Sequence, residues 1–158
     1  MNKQYLLAEK IIRKCSEKSL TISCAESCTG GLICAALTDV PGSSAVVLGG
    51  VVSYAISAKE NILNVNKRTI ENYGVVSCET ATEMAKGSQE LFMSSISVAT
   101  TGIAGPGGAE PGKPVGTVCF ALQNGEASKT LITCKGLNRE EVRKEAVLTT
   151  LDLIYQSL

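Results

Sequence analysis

Residues 23–31 read Ser23-Cys24-Ala25-Glu26-Ser27-Cys28-Thr29-Gly30-Gly31, and the 158-residue chain contains no histidine. Ser27 falls where a short apolar stretch, Leu20 to Ala25, gives way to a helical pattern beginning at Thr29. A serine hydroxyl is a weak nucleophile until a neighbouring base takes its proton. Without imidazole, lysine is the principal remaining base. A lysine of ordinary pKa is neutral in only about one molecule in a few thousand at pH 7, so burial or cationic neighbours must lower that value. Lys59 is the candidate, following the small and apolar stretch Tyr54-Ala55-Ile56-Ser57-Ala58. Tyr54 could orient its amine or share the proton transfer.

Each of these residues also has a plainer reading, and the local sequence favours it. Ser27 caps the next helix, Lys59 is a solvated lysine at a helix start, and Tyr54 is an interfacial ring. Cys28 is an alternative nucleophile, since a helix N-terminus lowers a thiol's pKa, but a buried thiol is the commoner outcome. Amides of Cys28, Thr29 and Gly30 at the helix start are candidates to hold an anion or a developing oxyanion. Residues 101–114 hold five of the fifteen glycines and three of the four prolines, which marks a loop. The amides of this loop, at Thr101, Gly102 and Gly105, could cradle a phosphate or ribose, although a plain turn explains them as well. Arg139 could pair a phosphate bidentately.

The elements that must position these groups follow from periodicity and turn signals. A helix is expected over residues 3–17 and strands over 20–25 and 45–54, the latter bent at Gly49-Gly50. Short helices follow over 57–63 and 66–72, then a longer one from Ser77 or Cys78 to Met93, with Thr80 and Glu83 as a candidate capping box. A strand over 95–100 leads into the glycine-rich loop. Two more, 116–123 and 128–134, are joined at Asn124-Gly125, a hairpin signal. Asn138, with Glu141 three residues on, opens a final helix whose Leu148, Leu151, Leu153 and Ile154 face the core. This order predicts an α/β fold, a three-layer α/β/α sandwich with a mixed, mostly parallel sheet, in a single domain over 1–158.

Composition sets outer bounds. The net formal charge is zero, and no basic cluster exceeds Lys67-Arg68 and Arg143-Lys144, which argues against direct nucleic-acid binding. No apolar run reaches the roughly 18 residues a membrane span needs, and the polar N-terminus does not read as a signal peptide. The seven cysteines therefore read as reduced, mostly buried thiols of a cytoplasmic protein. They form no Cys-x-x-Cys pair, so no metal is expected.

Four segments together are specific: Ala25-Glu26-Ser27-Cys28-Thr29-Gly30-Gly31; Gly49-Gly50-Val51-Val52-Ser53-Tyr54 followed by Lys59; Thr101-Gly102-Ile103-Ala104-Gly105-Pro106; and Lys113-Pro114-Val115-Gly116-Thr117-Val118. Over essentially its whole length the chain resembles the C-terminal domain family of the competence/damage-inducible protein CinA, the nicotinamide-nucleotide amidases. It looks like the stand-alone form, without the molybdopterin-binding-like domain of longer relatives. The resemblance implies hydrolysis of the carboxamide of nicotinamide mononucleotide to nicotinic acid mononucleotide and ammonia. It matches Ser27 to the nucleophile, Lys59 to the base and Tyr54 to an assisting hydroxyl, and Thr101 and Arg139 to positions that contact or orient substrate. Two positions depart from the family pattern: Val47 replaces a frequent aromatic residue, and Leu137-Asn138 a common Gly-Asp. No cofactor is implied, and a homo-oligomer is expected. The competing reading is a catalytically silent nucleotide-binding module, or an interaction module of the competence or damage response.

Overall fold

The computed structural model describes residues 2–158. Its sheet has five strands in the order β2-β1-β3-β4-β5. β1 (Ile22–Glu26) lies parallel to both β2 (Val47–Val52) and β3 (Ile96–Gly102). β4 (Thr117–Asn124) and β5 (Glu126–Thr133) extend the sheet as an antiparallel hairpin turning at Gly125. The sheet is thus parallel where it carries β1 and antiparallel at its other end.

Helices cover both faces. α1 (Lys3–Glu17), α2 (Leu32–Thr38) and α6 (Arg139–Ser157) pack together on one side. There Ile11, Leu37 and Leu151 meet Ile22, Cys24 and Val98. α3 (Ile56–Leu63), α4 (Lys67–Tyr73) and α5 (Cys78–Phe92) form the other layer. On that face Leu63, Met84 and Ala85 close over Ala25, Ala99 and Ala121. Successive residues of a strand point to opposite faces. All five residues of β1 are buried because both faces are covered.

Several boundaries differ from the sequence reading, each for a local reason. Residues 43–45 form a short 3-10 turn, so β2 starts at Val47. The expected irregularity in this strand is a register shift, with Val47 opposite Ile22 but Gly49 opposite Ser23. β3 runs on to Gly102, which puts Thr101 and Gly102 on a strand end instead of in the loop. α5 is capped by the Ser77 hydroxyl, which accepts from the Thr80 amide. Glu83 takes no part in that cap and accepts from the Asn66 amide and the Thr69 hydroxyl, tying α4 to α5. α6 opens on the expected Asn138–Glu141 capping box. Its core stripe is Val142, Ala146, Val147, Leu151 and Ile154, with Leu148 and Leu153 only half-buried.

Candidate active site

Three parallel strands end close together, and β1 is the middle one. The chain leaves β1 by way of α2 to β2 on one side, whereas β3 lies on the other. Ligands of open α/β sheets bind at such a switch point, beyond the carboxyl ends of the strands. Ser27 is the first residue past β1. Its amide donates to the Thr100 carbonyl of β3 at 3.0 Å, so the turn after β1 stays tied to the sheet.

The following helix starts at Leu32, three residues later than the sequence suggested, and Ser27 does not cap it. Glu26 does that work. Its buried carboxylate accepts from the amides of Gly31, Ile33 and Cys34, at 2.9 to 3.1 Å. These are amides that a helix start leaves without intrahelical partners, and a carboxylate beside them is favoured by the helix dipole. Ser27 is consequently free of a capping role. In the intervening turn the Gly30 amide donates to the Ser27 carbonyl at 3.1 Å, so it is not open to substrate as the sequence had suggested. Among the described residues the Thr29 amide has no acceptor. The Thr29 hydroxyl pairs with that of Thr100 at 2.9 Å.

Lys59 is fully buried on α3, with its Nζ 3.0 Å from Ser27 Oγ. The same nitrogen lies 2.6 Å from the Ser53 carbonyl oxygen and 3.4 Å from that of Tyr54. No carboxylate pairs with it among the described residues. Burial disfavours the ammonium and pulls the pKa from 10.5 down to about 8. At pH 7 about one molecule in ten then holds the neutral amine. A neutral amine has two N–H groups and one lone pair. With the two carbonyls taking the hydrogens, the lone pair is left for the Ser27 O–H.

Ser27 opens into a cavity of about 200 Å³ that is also lined by Tyr54, Val75, Val76, Thr101, Ala104 and Arg139. A larger groove of about 440 Å³, between α1 and the Val40-Pro41-Gly42 turn, has one serine, Ser16, and among the described residues its hydroxyl makes no hydrogen bond to a basic side chain. The chemistry therefore points to the smaller cavity. Arg139 bridges its mouth, donating to the Gly105 carbonyl at 2.8 Å and to the Tyr54 hydroxyl at 3.2 Å. Gly105 adopts φ +83°, and a Cβ there would fall 2.5 Å from Val115 Cγ1, so only glycine keeps this carbonyl in place. The Thr101 hydroxyl donates to the Val75 carbonyl at 2.9 Å, which joins the end of β3 to the segment before α5.

The CinA C-terminal domain model matches residues 4–158. The chain belongs to the CinA C-terminal domain family. A CinA-like protein of Fervidobacterium nodosum is 46% identical over 144 residues, covering 90% of this chain and 35% of that protein. A putative competence-damage inducible protein of Thermoanaerobacter sp. is 42% identical over 152 residues, covering 96% of this chain and 37% of the relative. The chain thus spans about a third of the length of these curated relatives. Among solved structures, the competence/damage inducible protein CihA from Agrobacterium tumefaciens superposes with a TM-score of 0.96 at 40% identity, covering 99% of this chain and 96% of that one. A CinA superfamily protein from Escherichia coli gives 0.95 at 33% identity, with 99% and 91% covered.

Within this CinA domain the structure brings together Ser27, Lys59, Tyr54, Thr101, Gly102 and Arg139. It separates others. Cys28 borders the cavity, but its sulfur packs beside Gly102, where a Cβ would lie 3.1 Å away, and in a core cluster with Val118 and Phe120. Burial pushes this thiol up to about 11, which disfavours the thiolate that attack by Cys28 would need. The Tyr54 hydroxyl meets Arg139 and makes no bond to Ser27 or Lys59. Cys24, Glu26 and Cys34 hold possible ligand atoms within 4.8 Å of one another, yet the carboxylate of this group already serves three amides. No helix among the described residues is long and apolar enough to cross a membrane.

Sequence reasoning missed two residues. Glu26 is one, although an acid directly before a turn and a helix is a capping signal. Arg143 is the other: its Nε donates to the Cys28 carbonyl at 3.0 Å and its Nη2 to that of Thr29 at 3.3 Å. Its place four residues after Arg139, on the same helical face, was the available sign.

Proposed function

We propose that this domain is an amidase that hydrolyses the carboxamide of nicotinamide mononucleotide to nicotinic acid mononucleotide and ammonia. The observation that carries this reading is the buried Lys59 amine, 3.0 Å from Ser27 Oγ and held by two carbonyls. Ser27 gives its proton to Lys59 and its oxygen attacks the carboxamide carbon. Turn amides near Thr29 favour the oxyanion of the tetrahedral intermediate. The C–N bond then breaks, ammonia leaves with the proton returned by Lys59, and a nicotinoyl ester remains on Ser27. Water attacks that ester with Lys59 again as base, which releases the acid and restores the hydroxyl. None of these steps calls on a metal or cofactor.

The cavity suits this substrate in size. At about 200 Å³ it is smaller than the roughly 300–1,000 Å³ of pockets that engulf a whole ligand. A pyridine carboxamide enters between Val75, Val76 and Ala104, and the ribose and phosphate stay at the mouth. Arg139 and Tyr54 stand there, with Thr101 and Gly102 along the wall. In this reading Tyr54 orients substrate together with Arg139, and Lys59 alone handles the serine proton. The single-domain arrangement over 1–158 belongs to the same proposal.

Ammonia release from nicotinamide mononucleotide tests it, with Ser27→Ala, Cys28→Ala and Lys59→Met assayed in parallel. Ser27→Ala and Lys59→Met are expected to lose at least about a thousandfold in kcat, and Cys28→Ala to keep most of its activity. Turnover persisting in Ser27→Ala would overturn the nucleophile. A wild-type chain that binds the nucleotide without hydrolysing it would establish the silent binding module instead.

A further inference from the structure

We propose that Arg143 is a positioning residue that holds the nucleophile turn in its working geometry and directs the charge of its own guanidinium along that turn. This inference rests on the serine–lysine reading above. A peptide unit has its C=O and N–H at opposite ends, pointing in opposite directions. The Cys28 carbonyl, gripped by Arg143 Nε at 3.0 Å, belongs to the same unit as the Thr29 amide. The Thr29 carbonyl, 3.3 Å from Nη2, belongs to the same unit as the Gly30 amide, which donates back to the Ser27 carbonyl. One planar fork therefore fixes both peptides that follow Cys28 and Thr29. It points the acceptor-free Thr29 N–H away from α6.

The surroundings fit this assignment. Gly30 sits at φ +58°, and a Cβ on it would come within 3.2 Å of Arg143 Nη2, so the turn passes directly over the guanidinium. No carboxylate pairs with Arg143 among the described residues, whereas its neighbour Lys144 is paired with Glu140. The half-buried positive charge is spent on two carbonyl oxygens instead. A cation at the carbonyl end of a peptide strengthens the donor at the other end, and it stabilises negative charge building up beside Ser27. Arg139 and Arg143, one turn apart on α6, divide the work: the first reaches the cavity mouth, the second the backbone behind the nucleophile. Lysine could not reproduce this, because a point charge cannot hold two carbonyls in a fixed plane.

The experiment uses the whole chain and two readouts, ammonia release from nicotinamide mononucleotide and the rate at which a fluorophosphonate labels Ser27. Phosphonylation forms a bond from Ser27 Oγ to phosphorus and expels fluoride, with the serine proton passing to Lys59. Arg143→Ala is expected to lower kcat and the labelling rate by about a hundredfold, within the range for a lost oxyanion donor, while KM moves less than about threefold. Arg143→Lys should recover only part of the rate, and added guanidinium should raise that of Arg143→Ala severalfold. Lys144→Ala, which removes an exposed charge nearby, should match wild type. Thermal melts accompany each variant, and Arg143→Gln replaces the alanine variant if the latter does not fold. Labelling within about threefold of wild type in the Arg143 variants would overturn the proposal, as would a loss that guanidinium and lysine leave unrelieved. Wild-type protein that is labelled at Ser27 but releases no ammonia would sink the nicotinamide substrate and leave Arg143 to be decided by the labelling rates. Absence of labelling in the wild type would overturn both.

Discussion

The Lys59 amine has three polar neighbours, and a neutral amine has three positions to offer them. Two carbonyls, of Ser53 and Tyr54, can each take a hydrogen, which orients the lone pair on Ser27. An ammonium in the same place would have to donate to the serine oxygen and would be inert as a base. Burial tilts the balance toward the neutral form by lowering the pKa to about 8. The rate should therefore rise tenfold per pH unit below about 8 and level off above it, because the working form is the deprotonated one. A pH profile of kcat/KM for the wild type checks this. A flat profile from pH 6 to 9 would remove Lys59 from the role of base. Cys28 illustrates the opposite use of burial, since the same desolvation that helps an amine lose its proton stops a thiol from losing one.

At the scale of elements, the site depends on how α3 is seated. This eight-residue helix carries Lys59, and its end rests on α5 where Gly87 leaves room. A Cβ on Gly87 would lie 2.0 Å from the Leu63 carbonyl oxygen, a backbone atom that cannot turn aside. Gly87→Ala must push α3 away from α5 and should cost about 1–3 kcal/mol in a urea titration. Because α3 holds Lys59, the base of the proposed mechanism, the same variant should also lose kcat with little change in KM. Lost stability with unchanged kcat would mean that α3 can shift without moving Lys59. α2 shows a related economy. Its start is held by an acid at the end of β1, so the hydroxyl of the next residue remains free for chemistry.

For the whole molecule, the two edges of the sheet differ. β5 carries Glu126 and Lys129, and charges on an edge discourage pairing with another chain. β2, Val-Leu-Gly-Gly-Val-Val, has none, and it leaves Leu48 and Val52 exposed. We propose that two copies associate through the β2 edge. Sedimentation velocity should report a dimer at micromolar concentration, and Val52→Lys should shift it to monomer. A wild-type chain that sediments as a monomer would sink this proposal. Its relatives are named for competence and damage, whereas the features of this domain are those of a small cavity with a serine beside a buried lysine.

The sequence by itself determined the order of elements, the hairpin at Asn124-Gly125 and the capping box of α6, because these are set by residues near one another in the chain. It also singled out Ser27 and Lys59, through the lack of histidine and through motifs that resemble a family. Only the tertiary structure decided what those residues can do. Ser27 and Lys59 are 32 positions apart, and their 3.0 Å separation exists because β1 and β2 are neighbours in the sheet. The lowered pKa comes from layers that close over Lys59, which periodicity does not report. Glu26 and Arg143 were marked only by position, an acid before a helix start and an arginine one turn after Arg139: their partners are backbone amides and carbonyls, which are alike in every residue, so only the folded chain shows what they hold.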